Sequence, residues 1–124
     1  MRMEAHAIRT HLDDLAVAIT DRHFAAHPEV LRRYPEIGRQ RCLEDARFHL
    51  QYLASALDSG STEMFVDYIA WAKVMLATRN VPANDLRENL HVIAGTLGET
   101  EYAGAIGIIG TALDQLPSMP DDVP

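Results

Sequence analysis

The sequence predicts an all-α protein of five or six helices of unequal length. Apolar residues recur at spacings of three and four along most of the chain, and no segment of useful length alternates with the period of a strand. Pro28, Pro35, Gly60, Pro82 and Gly98 punctuate the periodic stretches. With 124 residues and 48% hydrophobic content, the chain is long enough for one domain with a real core and too short for two. Residues 1–116 are expected to form that domain, and 117–124 a disordered tail.

The first helix is expected from Met3 to about Ala26, where Ile8, Leu12, Leu15 and Ile19 keep a helical period until Pro28 interrupts. Pro28 can open a new turn, so Glu29 to Tyr34 reads as a short helix closed by Pro35. A loop through Gly38 leads to the strongest element, Arg39 to Asp58, with a continuous stripe of Leu43, Ala46, Leu50, Leu53 and Leu57 ended by Gly60. Ser61 or Thr62 can cap the next helix. Its stripe of Phe65, Ile69, Ala72 and Leu76 is widened by Met64, Tyr68, Trp71 and Met75, a face broad enough for burial on two sides. Arg79-Asn80-Val81-Pro82 breaks it, and Asn84 or Asp85 can cap a helix with the stripe Leu86, Leu90, Ile93 and Leu97. The last candidate, Glu101 to Leu116, carries Tyr102, Ile106, Ile109, Leu113 and Leu116. It also holds Gly104, Gly107 and Gly110, which lower helix propensity by roughly 1 kcal/mol each, permit close backbone packing and keep a short strand as an alternative.

Composition excludes several functions. The formal charge of −7 leaves no basic face for phosphates, so no nucleic acid is expected as a partner. The longest apolar run, Ala103 to Ile109, is too short and too glycine-rich to span a bilayer. No basic region followed by a hydrophobic stretch opens the chain, so a cytosolic protein is expected, without a membrane partner. A single cysteine makes no internal disulfide, and no Cys/His spacing suggests structural zinc. No catalytic dyad stands out, so an enzyme is not expected.

The chemistry concentrates at one place. Cys42, Asp45 and His49, spaced by three and four, form a column along one edge of the stripe on their helix, flanked by Arg41 and Phe48. A thiol can add to an unsaturated substituent, a carboxylate can accept from pyrrole N–H groups and favour a protonated chromophore, and arginines can clamp propionates. A linear tetrapyrrole would use all three. Plainer readings exist for each: a small buried hydrophobe for Cys42, an i,i+4 ion pair between Arg41 and Asp45, an interface histidine for His49.

Gly38-Arg39-Gln40-Arg41-Cys42-Leu43-Glu44-Asp45 resembles the Gly-Lys-x-Lys-Cys-x-Arg-Asp stretch of phycobiliproteins, the bilin-carrying proteins of globin fold. Tyr34-Pro35 upstream is similar to the family's Tyr-Pro, and Phe48-His49-Leu50, Gly60, Asp67-Tyr68 and Val81-Pro82 resemble later family positions, so the likeness runs from Tyr34 to Leu97. It implies a globin-like bundle in which Cys42 is a thioether attachment site, Asp45 holds the central pyrrole nitrogens, and Arg39 and Arg41 contact propionates. Phe48 and Tyr68 would lie in the chromophore pocket. Where the family has a propionate-binding arginine this chain has Glu44, so Arg47 or His49 would substitute from a neighbouring turn. The implied ligand is biliverdin or a phycobilin, linked to Cys42 or held without a bond. The implied role is light absorption, light sensing or bilin carriage by a stand-alone relative, expected as a homodimer. A pigment-free sensory or regulatory interaction domain is the alternative. Glu88-Asn89-Leu90-His91 has the Glu-x-x-His spacing of di-iron bundles, but no second copy accompanies it.

Overall fold

The computed structural model describes residues 2–33, 38–98 and 100–121. All regular structure among these residues is helical: α1 (Arg2–Thr10), α2 (Leu12–Ala26), α3 (Pro28–Arg33), α4 (Gly38–Ser59), α5 (Thr62–Thr78), α6 (Ala83–Leu97) and α7 (Ala103–Gln115), followed by a 3₁₀ turn, Leu116–Ser118.

Helix α4 is the axis of the fold. It buries Ala46, Leu50, Leu53, Ala54, Ala56 and Leu57 against α1 and α2 on one side and α5 on the other. Helix α6 packs on α2, and α7 closes the bundle against α5 and α6. The expected stripes of α4, α5 and α6 are the buried faces, with Phe65, Ile69, Leu90 and Ile93 almost fully enclosed.

Backbone chemistry sets the helix ends that matter for the site. Gly60, at φ 66°, ends α4, and the Ser61 N–H bonds Ala56 O across the turn. Ser61 Oγ then accepts from Met64 N and caps α5. The far end of α5 closes the same way without glycine: Asn80 takes φ 61°, its N–H bonds Ala77 O, and the Val81 N–H bonds Leu76 O. Asparagine tolerates the left-handed conformation, and the crossed pair of bonds sets Val81 beside Leu76.

The structure departs from sequence expectation at several places. The first helix is two helices, interrupted at His11 (φ −108°, ψ 23°), so α1 lies on α4 while α2 reaches both α4 and α6. Helix α6 begins at Ala83 with Pro82 at its N-cap, two residues before Asn84, the first of the expected caps. Helix α7 forms despite its glycines, and its buried face is Ala105, Ile108, Ile109 and Ala112, with Ile106 and Leu113 only partly covered. Close approach occurs at Gly104 alone of the three glycines: a Cβ there would sit 2.5 Å from Glu4 Oε2, while Gly107 and Gly110 face open space. Glu4 Oε1 accepts from Ala105 N at 3.0 Å, a carboxylate at a helix N-terminus. Glu4→Ala is expected to cost about 1 kcal/mol in urea unfolding, the worth of such a cap.

The expected tail is partly packed. Buried Lys73 donates through Nζ to Leu116 O (3.2 Å) and Met119 O (2.7 Å) and pairs with Asp121, holding Met119 in the core. Residues 122–124, and the Tyr34-Pro35 pair of the family likeness, lie outside the described residues. The wide α5 face is not covered on both sides: Trp71 is 56% exposed, and Met64 and Met75 are also open to solvent.

Candidate functional site

Two adjoining cavities run along the Cys42 edge of α4. The first, of about 290 Å³, is bounded by Gly38, Arg41, Cys42, Asp45 and His49 of α4. Its remaining walls are His23 and Phe24 of α2, Val30 of α3, Leu76, Arg79 and Val81 around the end of α5, and Asp85, Leu86 and Asn89 of α6. The second, of about 320 Å³, lies between α4 and α5 and is lined by Glu44, Phe48, Tyr52, Tyr68, Trp71 and Met75. Arg41, Asp45, His49, Leu76 and Arg79 belong to both walls. The helical spacing that put Cys42, Asp45 and His49 in one column therefore places all three against open space.

Asp45 sits at the junction. Its two oxygens each lie 3.2 Å from Arg79 Nη2, so its partner comes from the end of α5 and not from Arg41 on its own helix. Burial raises the Asp45 carboxyl above the usual carboxylate range, and the Arg79 charge opposes that shift. A carboxylate has four lone-pair directions, so Asp45 keeps acceptor capacity beyond the guanidinium.

His49 is buried, with Nδ1 2.6 Å from Tyr68 Oη, and desolvation pushes its pKa down to about 4, helped by the Arg79 charge. Its ring is neutral at pH 7. Burial likewise pushes the Tyr68 hydroxyl up, with Asp45 and Tyr52 adding to the effect. Tyr68 stacks on Tyr52 with ring centroids 4.0 Å apart, and Trp71 leans on it at 6.0 Å. The second cavity is thus lined by a group of aromatic rings in mutual contact.

Cys42 is half-buried beside Thr20, and burial pushes its thiol up to about 11. At neutral pH the group is a thiol, and the nucleophilic form is the thiolate.

The structure brings Arg41, Cys42, Asp45, Phe48, His49 and Tyr68 to the two cavities. Arg39 and Arg47 do not line either one: Arg39 pairs with Asp21 at 2.6 Å, and Arg47 pairs with Asp13, both on α2. Sequence reasoning missed His23, Arg79, Asp85 and Asn89. One signal existed, because His23 continues the α2 stripe four residues beyond Ile19 and is 3% exposed.

Among the described residues, the buried side-chain N and O atoms without a hydrogen-bond partner are His23 Nδ1, Arg79 Nε and Asp85 Oδ2, and all three residues line the first cavity. Buried polar groups are nearly always satisfied in native proteins, so a cluster of exceptions around one cavity marks a place where a bound group or water supplies the partners. No group of three or more His, Cys, Asp or Glu among the described residues could hold a metal ion, and His91 is exposed. Among the described residues, no helix is long and apolar enough to cross a membrane.

No protein-family model, no curated protein and no solved structure matches the chain.

Proposed function

We propose that the protein binds a linear tetrapyrrole, biliverdin or a reduced bilin, in the double groove along α4, as a globin-like light-absorbing, light-sensing or bilin-carrying protein. The observation that carries this reading is Asp45 at the junction of two adjoining cavities, with Arg41 and Arg79 in the walls of both. Each cavity alone is at the small end of the roughly 300–1,000 Å³ usual for ligand sites, and together they suit an elongated molecule bent around one polar point. Asp45 would accept from the inner pyrrole N–H groups, Arg41 and Arg79 would meet the propionates, and the rings of Phe48, Tyr52, Tyr68 and Trp71 would cover the pyrroles. Arg79 supplies the cation that Glu44 fails to supply. The thiol state of Cys42 favours retention without a covalent bond, since little thiolate is present to attack.

The test is co-expression with a haem oxygenase. The purified protein is expected to be coloured, to release its pigment in acidic urea, and to show no zinc-dependent fluorescence on a denaturing gel. Asp45→Asn is expected to weaken biliverdin binding about tenfold or more, the worth of a hydrogen bond to a charged group. A colourless product overturns the reading.

A second reading, a pigment-free interaction module, is favoured by the solvent-facing Phe48, Tyr52, Met64, Trp71 and Met75 of α4 and α5. It implies a stable homodimer or a partner complex and no absorbance above the protein band.

A further inference from the structure

The α2–α6 end of the first cavity is built from residues that the tetrapyrrole reading does not use. His23 is 3% exposed and Asp85 8%, both line the cavity, and each carries a polar atom without a partner, Nδ1 and Oδ2 respectively. Asn89, also 8% exposed, stands one helical turn along α6 from Asp85. Around them the wall is apolar, from Phe24, Val30 and Leu86.

Charge decides the class of group that fits. A cation is disfavoured because Arg33 Nη2 already meets Asp85 Oδ1 at 3.1 Å and Arg41 and Arg79 line the same cavity. At this end of the cavity an anion is disfavoured by the Asp85 carboxylate, whose second oxygen has no partner. An uncharged group must therefore bring a hydrogen-bond donor for the second Asp85 oxygen and an acceptor for a neutral imidazole or the Asn89 amide. The last torsions of aspartate and histidine are soft, so each unpartnered atom can turn to a ligand seated beside it.

We infer that this end of the cavity is a recognition subsite for a cyclic amide, whose N–H donates to Asp85 Oδ2 while its adjacent C=O accepts from His23, with Asn89 completing the set. One ring carrying N–H beside C=O satisfies both unpartnered groups at once. Joined to the tetrapyrrole reading, on which this identity of the ligand rests, the group is the terminal lactam ring of the bilin.

The experiment titrates the ¹⁵N-labelled full chain with 2-pyridone and, separately, with N-methyl-2-pyridone, which keeps the carbonyl and lacks the donor. The expected result is a saturable shift of the Asn89 side-chain amide and His23 ring signals with 2-pyridone and at least tenfold weaker binding of the N-methyl compound. His23→Leu and Asp85→Leu are each expected to lose at least tenfold in 2-pyridone affinity. The melting temperature of His23→Leu should not fall, because the substitution removes an unsatisfied buried polar group. Equal binding of the two pyridones, no binding of either, or wild-type affinity in both variants would overturn the subsite. The comparison of the two probes on the unmodified protein stands even if a variant fails to fold. Discrimination between the pyridones without biliverdin binding supports the subsite and removes the tetrapyrrole. Biliverdin binding that is indifferent to both variants, with no discrimination between pyridones, removes the subsite and leaves the tetrapyrrole.

Discussion

Acidification from pH 7 to pH 4 is expected to remove about 3 kcal/mol of stability through His49. In the unfolded chain this histidine titrates near 6.5, whereas desolvation holds it at about 4 in the folded protein. Above pH 6.5 both states carry the neutral ring, and its contribution is fully present. Between about 6.5 and 4 the unfolded chain binds a proton that the folded chain refuses, so stability falls as the pH falls through that window. At about 1.36 kcal/mol per unit the whole displacement amounts to about 3 kcal/mol. His23, lowered chiefly by burial and then by His27, acts in the same direction. Asp45 acts in the opposite one, since its raised carboxyl sheds its penalty when protonated. Urea unfolding at pH 7, 5.5 and 4 separates these contributions if the wild type is compared with His49→Leu/Tyr68→Phe, which removes the titrating ring and its hydroxyl partner together. The double variant should have a markedly flatter profile, and equal slopes would show that His49 is not held neutral by burial.

Arg79→Ala is expected to cost about 2 kcal/mol. Removing one partner of a fully buried ion pair costs about 3–5 kcal/mol, and an exposed pair is worth about 0–1 kcal/mol. Here the side chains are 27% and 29% exposed, which places the loss between those limits. The damage is mostly the stranding of Asp45 in a half-buried site, so Asp45→Ala in the same chain should recover part of it. A double-mutant cycle in urea is expected to give a coupling of at least about 1 kcal/mol. Coupling near zero would mean that the pair is a surface contact and that Asp45 is already protonated or solvated.

The fold was legible where one helix decides its own face. On α4 the spacing of Leu50, Leu53 and Leu57 picks out the buried side, and the same spacing sets Cys42, Asp45 and His49 on its edge. Helix ends written in local chemistry, Gly60 with Ser61 and Asn80 with Val81, could also be located. Periodicity does not say which helix a face will meet. For that reason Asp45 could be matched only with Arg41 on its own helix, while its partner Arg79 stands 34 residues away. The same limit hid Asp85 and Asn89, whose polar side chains look like surface residues until α2 and α6 are packed together, whereas His23 was marked only by its place on the α2 stripe. Packing also explains α7. Its glycines argue against a helix locally, yet its buried Ala105, Ile108, Ile109 and Ala112 lie against α5 and α6, and tertiary contact supplies what propensity lacks. Nor does any local pattern signal the role of Lys73, which holds the C-terminal turn through two backbone carbonyls.

The central claim is that the groove through Asp45 holds one bent, open-chain pigment. Visible circular dichroism during a titration with biliverdin examines this most directly, because a flexible bilin free in solution has no fixed hand and acquires one when a chiral groove imposes its twist. Saturation at one bilin per chain with a strong induced signal, diminished in Asp45→Asn and in Arg79→Ala, is the expected result. A signal that never saturates, or no induced dichroism at any concentration, would contradict it.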